Sequence, residues 1–364
     1  MAEHTKAIRF GIMGCAKAAT KVSRAIKMSP NSTLYAIASR SLEKAQQFAT
    51  ENGYSDQQVV IYGSYSELLD DPLVDAVYMP LPTSLHLEWA VLAAEKKKHL
   101  LLEKPTALDA TQLDRILEAC RSNGVQFMDG SMWYHHPRTA KMKELLSDSK
   151  LFGQVKSIYS SSSYVGGQGF LENNVRIKAD LDSLGALGDA GWYCVGGILW
   201  AMNNNLPTTV TALPSVVRNS DGVLLSCTAS LHWEKEEIVA TFFCSFLAHE
   251  TMDLTISGSN GTLHLEDFII PYEETSASFK YTSGAKFVDM HIGWNVKPEE
   301  VQVDTGELPQ EARMVQELSR LIQGIKYSGR LPDQKWAEVS RVTQLVIDTV
   351  IRSINYGFEP VYIY

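Results

Sequence analysis

The stretch AIRFGIMGCAKAAT, residues 7–20, decides how the chain begins. Residues 7–13 form an apolar run rich in strand-forming side chains, and from Ala16 to Met28 apolar residues recur at helical spacing. A strand that runs into a helix through a glycine-containing turn is the opening unit of a dinucleotide-binding fold. Such a unit needs a tight turn, a backbone that can approach a pyrophosphate, and close packing of helix on strand. Gly14, Ala16 and Ala19 occupy the positions that usually read G-x-G-x-x-G. Only the first is glycine. Alanine is common at the third position but unusual at the second, where its methyl group narrows the approach to the phosphates. On this motif alone, an ordinary strand–helix turn remains an alternative.

The rhythm continues outward. TLYAIAS (33–39) reads as a second strand, and SLEKAQQFATEN (41–52) as a helix opened by Ser41. VVIYG leads into SYSELLDD, where Ser64 and Glu67 have capping-box spacing. DAVYMPL, HLLLEK and VQFMDG are three further short apolar strands, separated by helices over 83–97 and 109–123. Continuous apolar strands alternating with helices indicate a parallel sheet covered on both faces. After about residue 150 the period changes to two, in stretches such as QVKSIYSSSSYV, LLSCTASLHW and IVATFFCSFL, which indicates antiparallel strands with one covered face. Helices over 310–327 and 333–355 and a short apolar strand close the chain. The fold expected is α/β: a Rossmann domain with a doubly wound parallel sheet over residues 1–130. An α+β domain with a large, mostly antiparallel open sheet follows over residues 131–364, for substrate binding and oligomerisation.

Composition narrows the function classes. The chain has 364 residues, 45% hydrophobic and 21% charged, enough to bury sizeable cores. A formal charge of −9 argues against a nucleic-acid or anionic-membrane surface. No apolar run reaches the roughly 18–20 residues of a membrane span. Cysteines 15, 120, 194, 227 and 244 are odd in number and scattered, as buried thiols of a reducing compartment would be, so the cytoplasm is expected. No spacing of histidine, cysteine and carboxylate suggests a metal site.

The second strand ends AIASRSLEK. NAD-specific folds place an acidic side chain there for the adenosine ribose. Here the position offers Ser39, Arg40 and, one helical turn on, Lys44, a set suited to the 2′-phosphate of NADP. A solvated Arg/Lys pair is the alternative reading.

With HLLLEKPTALD (99–109) the chain comes to resemble the Gfo/Idh/MocA oxidoreductases. Glu103-Lys104-Pro105 at the end of a Rossmann strand is that family's hallmark. The resemblance also covers the first turn, MPLPTSLHLEWA (79–90), MWYHHP (132–137) and LGALGDAGWYCV (184–195). In the last of these, Gly185, Asp189, Gly191 and Tyr193 match G-x-x-x-D-x-G-x-Y/H. The Ser39-Arg40 pair and a tyrosine at 193 bring the chain nearest the NADP-linked dihydrodiol and D-xylose dehydrogenase branch; Ala16 departs from the pattern.

The resemblance implies that NADP contacts Gly14, Ala16, Lys17, Ser39, Arg40, Lys44, Leu81, Pro82, His86, Glu103, Lys104 and Trp133. It implies substrate contacts from Trp133, Arg176 and Asp189, and catalysis by Lys104, Tyr193 and Asp189. Oxidation of a secondary alcohol needs a base for the hydroxyl proton, and free tyrosine, with a pKa of about 10, is a poor one near neutrality. A neighbouring ammonium favours phenolate. Tyr193 is therefore expected as general acid/base, Lys104 as its electrostatic partner, and Asp189 as acceptor for a second substrate hydroxyl. Each has a plainer reading: a core tyrosine, a strand-end surface lysine, a buried structural carboxylate. For Arg176 a surface role is the better expectation from sequence alone. The function expected is NADP-dependent hydride exchange with a small-molecule sugar, polyol or cyclic diol, by a homodimer on fold analogy. A dinucleotide-retaining glycosidase and a catalytically silent NADP-binding regulator are the competing readings.

Overall fold

The structure, a computed structural model, describes residues 7–55, 58–288 and 293–363. Its first compact unit contains a six-stranded parallel sheet. The strands are β1 (Ile8–Met13), β2 (Ser32–Ala38), β3 (Val60–Tyr62), β4 (Ala76–Met79), β5 (His99–Leu102) and β6 (Phe127–Asp129). Their order is β3-β2-β1-β4-β5-β6, the doubly wound arrangement of a Rossmann fold. Strands β1, β4 and β5 are buried almost throughout because helices cover both faces.

Those helices are α1 (Lys17–Met28), α2 (Leu42–Glu51), α3 (Tyr65–Asp70), α4 (His86–Glu95) and α5 (Ala110–Asn123). Local chemistry sets where they start. Ser41 accepts from the Lys44 N–H, Ser64 and Glu67 form a full capping box, and Asp109 accepts from the Gln112 N–H. The helix expected over 83–97 opens as a 3₁₀ turn, Thr83–Leu85, before α4.

The second unit is built on a ten-stranded sheet, counted among the described residues. Helix α6 (Pro137–Ser147) precedes β7 (Val155–Val165), followed by α7 (Gln168–Asn173) and α8 (Trp192–Ala201). Then come β8 (Thr209–Ala212), β9 (Val217–Arg218), β10 (Leu224–Trp233), β11 (Ile238–Ser245), β12 (Leu247–Gly258) and β13 (Gly261–Leu265). Strands β14 (Ser276–Ser283) and β15 (Glu299–Asp304), helices α9 (Gln310–Ser328) and α10 (Lys335–Asn355), and β16 (Val361–Tyr362) complete the order. All pairings are antiparallel except β7 with β11 at the centre. Helix α8 packs on β7, β11 and β12 and is buried on nearly every side, as its apolar sequence requires. Beside this core, the buried Arg138 guanidinium is matched by the Asp267 carboxylate at 2.6 Å and the Asp267 carbonyl at 2.8 Å.

The two units are not contiguous halves divided at residue 130. The first runs to His135 and also takes Leu308–Arg341; the second is His136–Glu307 with Val342–Tyr364. The reason is α9. Its buried Ala312, Val315, Leu318 and Ile322 recur at helical spacing, and the helix packs on α1, β1 and β2. Two polar contacts fix it there: the Asn31 amide donates to the Gln316 carbonyl at 3.0 Å, and Lys326 pairs with Asp75 at 2.5 Å.

Candidate active site

In the first unit, the candidate residues gather at the carboxyl ends of the parallel strands, where ligands of this architecture bind. Gly14 follows β1 at φ +119°, and a Cβ there would lie 2.9 Å from Leu81 Cδ2. Both constraints demand glycine. Ala16 then enters α1 in an extended conformation, with no side-chain cap and no acidic residue in the first turn. The leading N–H groups of α1 therefore meet no side chain from Ala16, and Ala16 and Lys17 are exposed beside them. The added methyl at Ala16 points outward in the turn expected to hold phosphate.

Ser39, buried at the end of β2, and Lys44 both reach the same turn. Burial pushes the Cys15 thiol up to about 11, while its hydrogen bond to Ser39 and the charge of Lys44 act in the opposite direction. Arg40 is exposed, and its charge is felt by the buried Tyr65 phenol. Ser39, Arg40 and Lys44 thus border the turn as a cationic rim with no carboxylate where an NAD-specific fold carries one.

After β5, Glu103 accepts from the Tyr78 hydroxyl and, at 3.3 Å, from the Lys104 N–H. The following Lys104–Pro105 peptide is cis. His86, 1% exposed, links this turn to the loop after β4: Nδ1 lies 3.2 Å from the Thr106 carbonyl and Nε2 3.0 Å from that of Leu81. Burial lowers His86 to about 4 against those carbonyls, so the imidazole is neutral near neutral pH. It is a strut between the Leu81-Pro82 segment and the Pro105-Thr106 turn. Trp133, 1% exposed, stacks on Tyr134 with ring centroids 3.9 Å apart, so one face of its ring is occupied within the protein.

In the second unit, the segment after Leu184 is not a simple α-helix. Gly185 sits at φ +57°, and a Cβ there would come within 2.2 Å of the Leu224 carbonyl oxygen. Leu187–Gly191 then form a π turn that passes into α8. Such wide turns occur mostly as single turns and frequently at functional sites. Here the turn carries Asp189. Tyr164 donates to Asp189 Oδ2 at 2.9 Å, and Arg176 Nε donates to Oδ1 at 2.8 Å. Both carboxylate oxygens are thereby fixed. The ion pair raises Arg176 above its ordinary value, and burial followed by the Asp189 charge raises Tyr164. Gly191 lets the turn approach the sheet, since a Cβ there would lie 3.2 Å from Cys244 Sγ. Tyr193, half-buried, is the second residue of α8.

Asp189 and Tyr193 thus lie on one segment whose winding passes from a π turn into α8. Arg176 is no bystander, because its guanidinium holds Asp189. Tyr164 was missed. The available signal was the alternation along β7, which puts Tyr164 on the same face as the buried Ile158, Ser160 and Ser162. Among the described residues no group of histidine, cysteine and carboxylate side chains forms a metal site, and no helix is long and apolar enough to cross a membrane.

Comparison with known proteins accords with these features. A domain described as "Oxidoreductase family, NAD-binding Rossmann fold" matches residues 8–131, and "GFO/IDH/MocA C-terminal domain" matches residues 139–264. A D-xylose 1-dehydrogenase (NADP(+)) of Haloferax volcanii is 36% identical over 51% of this chain and 54% of its own. The chain spans about half the length of this and several other curated relatives it matches. Trans-1,2-dihydrobenzene-1,2-diol dehydrogenase of Danio rerio is 29% identical over 71% of this chain and 74% of that one. A 3-ketoreductase from Actinomadura kijaniata, solved with NADP and TDP-benzene, superposes with a TM-score of 0.79 at 25% identity over 95% of this chain and 98% of that one. With both matched domains in family order on one chain, the protein belongs to the Gfo/Idh/MocA family of oxidoreductases.

Proposed function

We propose that the protein is an NADP-dependent dehydrogenase or reductase acting on the CH–OH group of a sugar, polyol or cyclic diol. The observation that carries this reading is Asp189, a carboxylate fixed on both oxygens by Tyr164 and Arg176 in a π turn just before Tyr193. A buried carboxylate held so firmly suits orientation of a hydroxyl-bearing substrate.

The residues of the first unit fit NADP. Gly14 leaves the turn open where a Cβ would fill it, the start of α1 carries no acidic side chain, and Ser39, Arg40 and Lys44 suit a 2′-phosphate. Leu81 and Pro82 would border the cofactor, with His86 holding their loop and Glu103 bracing Lys104. NADP, when bound, supplies the acceptor for the hydride. For the protein's own part, Tyr193 Oη takes the proton from the reacting hydroxyl on oxidation and returns it on reduction. The Lys104 ammonium favours the phenolate and donates to the reacting oxygen. Asp189 accepts from a neighbouring substrate hydroxyl, with Arg176 and Trp133 as further substrate contacts. By the same reading the unit of the parallel sheet, Met1–His135 with Leu308–Arg341, holds the cofactor, and the unit of the large sheet serves substrate binding and oligomerisation.

We place the protein in the cytoplasm, its buried free thiols being at home in a reducing compartment. A homodimer is proposed through the open face of the large sheet, where Tyr159 and Val239 are exposed on neighbouring strands. The test is a panel of aldoses, polyols and cyclic diols with NADP or NAD, read by absorbance of the reduced cofactor. NADP-linked turnover of one class is expected. Cofactor binding without turnover would indicate a regulator, and release of an aglycone without net reduction a glycosidase. Light scattering of Tyr159→Glu beside the wild type tests the dimer.

A further inference from the structure

A cavity of about 470 Å³ lies within the first unit, bordered by the segment before β2, the turn after β6, α9 and the start of α10. Its volume is in the range of small-ligand sites. Asn31 forms part of its wall at the amino end of β2, whereas Ser39 follows the carboxyl end. The seven residues of β2 separate those points by roughly 20 Å, so this cavity is distinct from the phosphate turn.

Charge is its first unusual property. Arg313, Arg320 and Lys335 line it against the single carboxylate of Glu317, in a chain whose net charge is −9. Arg320 forms two parallel bonds to Glu317, at 2.7 and 2.8 Å, which holds its guanidinium in place. Its second property is an unsatisfied polar atom. His135 is one of the lining residues, and its Nε2 is buried with no hydrogen-bond partner, although buried polar atoms are nearly always paired. Burial and the nearby Lys335 charge lower that imidazole to about 3, so it is neutral and can accept a hydroxyl proton or donate one.

The aromatic walls limit what fits. Trp336 has His135 at 4.5 Å, the Lys335 ammonium 4.4 Å from its ring centre, and the edge of Tyr134 against it. Tyr134 in turn stacks on Trp133. These rings are already paired, and a nucleobase would find no stacking platform. A bare inorganic anion would leave most of the volume unused. We propose that this cavity binds the phosphate ester of a small polyol or sugar. Lys335, Arg313 and Arg320 take the phosphate, and the amides of Asn31 and Gln316 take hydroxyl groups. This site is independent of the redox reading above.

Calorimetric titration of the full-length chain, saturated with NADP so that the cofactor site is filled, tests the proposal. Glucose 6-phosphate is expected to bind at one site at least about tenfold more tightly than inorganic phosphate, glucose or adenosine 5′-monophosphate. Lys335→Gln and Arg320→Gln, both at exposed positions, should each weaken it by about tenfold or more while leaving NADP affinity unchanged. Inorganic phosphate binding as tightly as the ester would reduce the site to an anion hole and overturn the proposal. So would preference for the nucleotide, binding that neither variant alters, or no binding of the ester at all.

Discussion

The two units build their candidate site residues in different ways. In the first, each lies within a few residues of a strand end: Gly14 after β1, Ser39 and Arg40 after β2, Leu81 after β4, Lys104 after β5. Their placement is a local consequence of strand, turn and helix cap. In the second, Asp189 owes its placement to Tyr164, 25 residues earlier in β7, and Arg176, 13 residues earlier after α7. The lesson is that a parallel α/β layer presents ligand groups chiefly by position, with contacts such as those of His86 and Tyr78 as braces, whereas a large sheet must assemble them through side-chain contacts.

The comparison is broken most directly at Tyr193. If the second unit supplies the proton-transfer group, Tyr193→Phe should lower turnover by roughly 10²–10⁴ while NADP binding and cooperative unfolding persist. Lys104→Met should also lower turnover and move the pH optimum for oxidation upward. The double variant should be little worse than the weaker single one, because groups that act as a unit do not add. Steady-state kinetics of the four proteins across pH decides it. Near-normal turnover in Tyr193→Phe would return that helix to a packing role.

A second contrast is in acid stability. His86 and His99 are lowered to about 4 and His135 to about 3, chiefly by burial, and all three belong to the first unit. A histidine with a depressed native value binds its proton in the unfolded chain first. Its contribution is therefore complete above the unfolded value of about 6.5 and is lost as pH falls from there towards 4. The first unit should lose a few kcal/mol over that window. Hydrogen exchange at pH 7 and pH 5 reads the two units separately, and equal loss of protection in both would contradict this assignment.

Smaller effects sharpen the account of the first unit. Loss of one charge-assisted phosphate contact costs roughly 1.5–3 kcal/mol, so Arg40→Ala should weaken NADP binding at least several-fold and leave NAD nearly unchanged. Equal losses by calorimetry for the two cofactors would remove Arg40 from the phosphate site. The smallest change expected is at Ala16. Because its methyl is exposed at the start of α1, Ala16→Gly should keep or slightly improve NADP affinity despite the added chain entropy of glycine. A clear loss in the folded variant would show that the alanine contributes to the turn.

How much the sequence disclosed follows the same division. The parallel layer, its helix caps and the turn at Gly14 were readable because period, cap chemistry and glycine act over four or five residues. The helix over 310–327 was readable too, but not its membership of the first unit, because an apolar stripe does not name the surface it covers. Asp189 and Tyr193 were found through a family motif. The π turn was invisible because it depends on the approach of Gly185 to Leu224 and of Gly191 to Cys244, both distant in sequence. Tyr164 was hidden in a serine-rich strand whose alternation marked a face without marking a partner.

The discontinuous first unit has a consequence for synthesis. α1 emerges early, but α9, which packs on it, follows about 280 residues later, about 170 of them belonging to the second unit. At typical elongation rates of about 5–20 residues per second, that face of α1 waits roughly 15–60 s for its covering helix. During that interval, the time needed to make the residues between Met28 and Gln310, the nascent Rossmann layer exposes an apolar stripe and lacks the α9 carbonyl that Asn31 will engage. Substitutions that thin the α9 stripe would therefore act first on yield in the cell, through chaperone demand, before they alter any property of the finished protein.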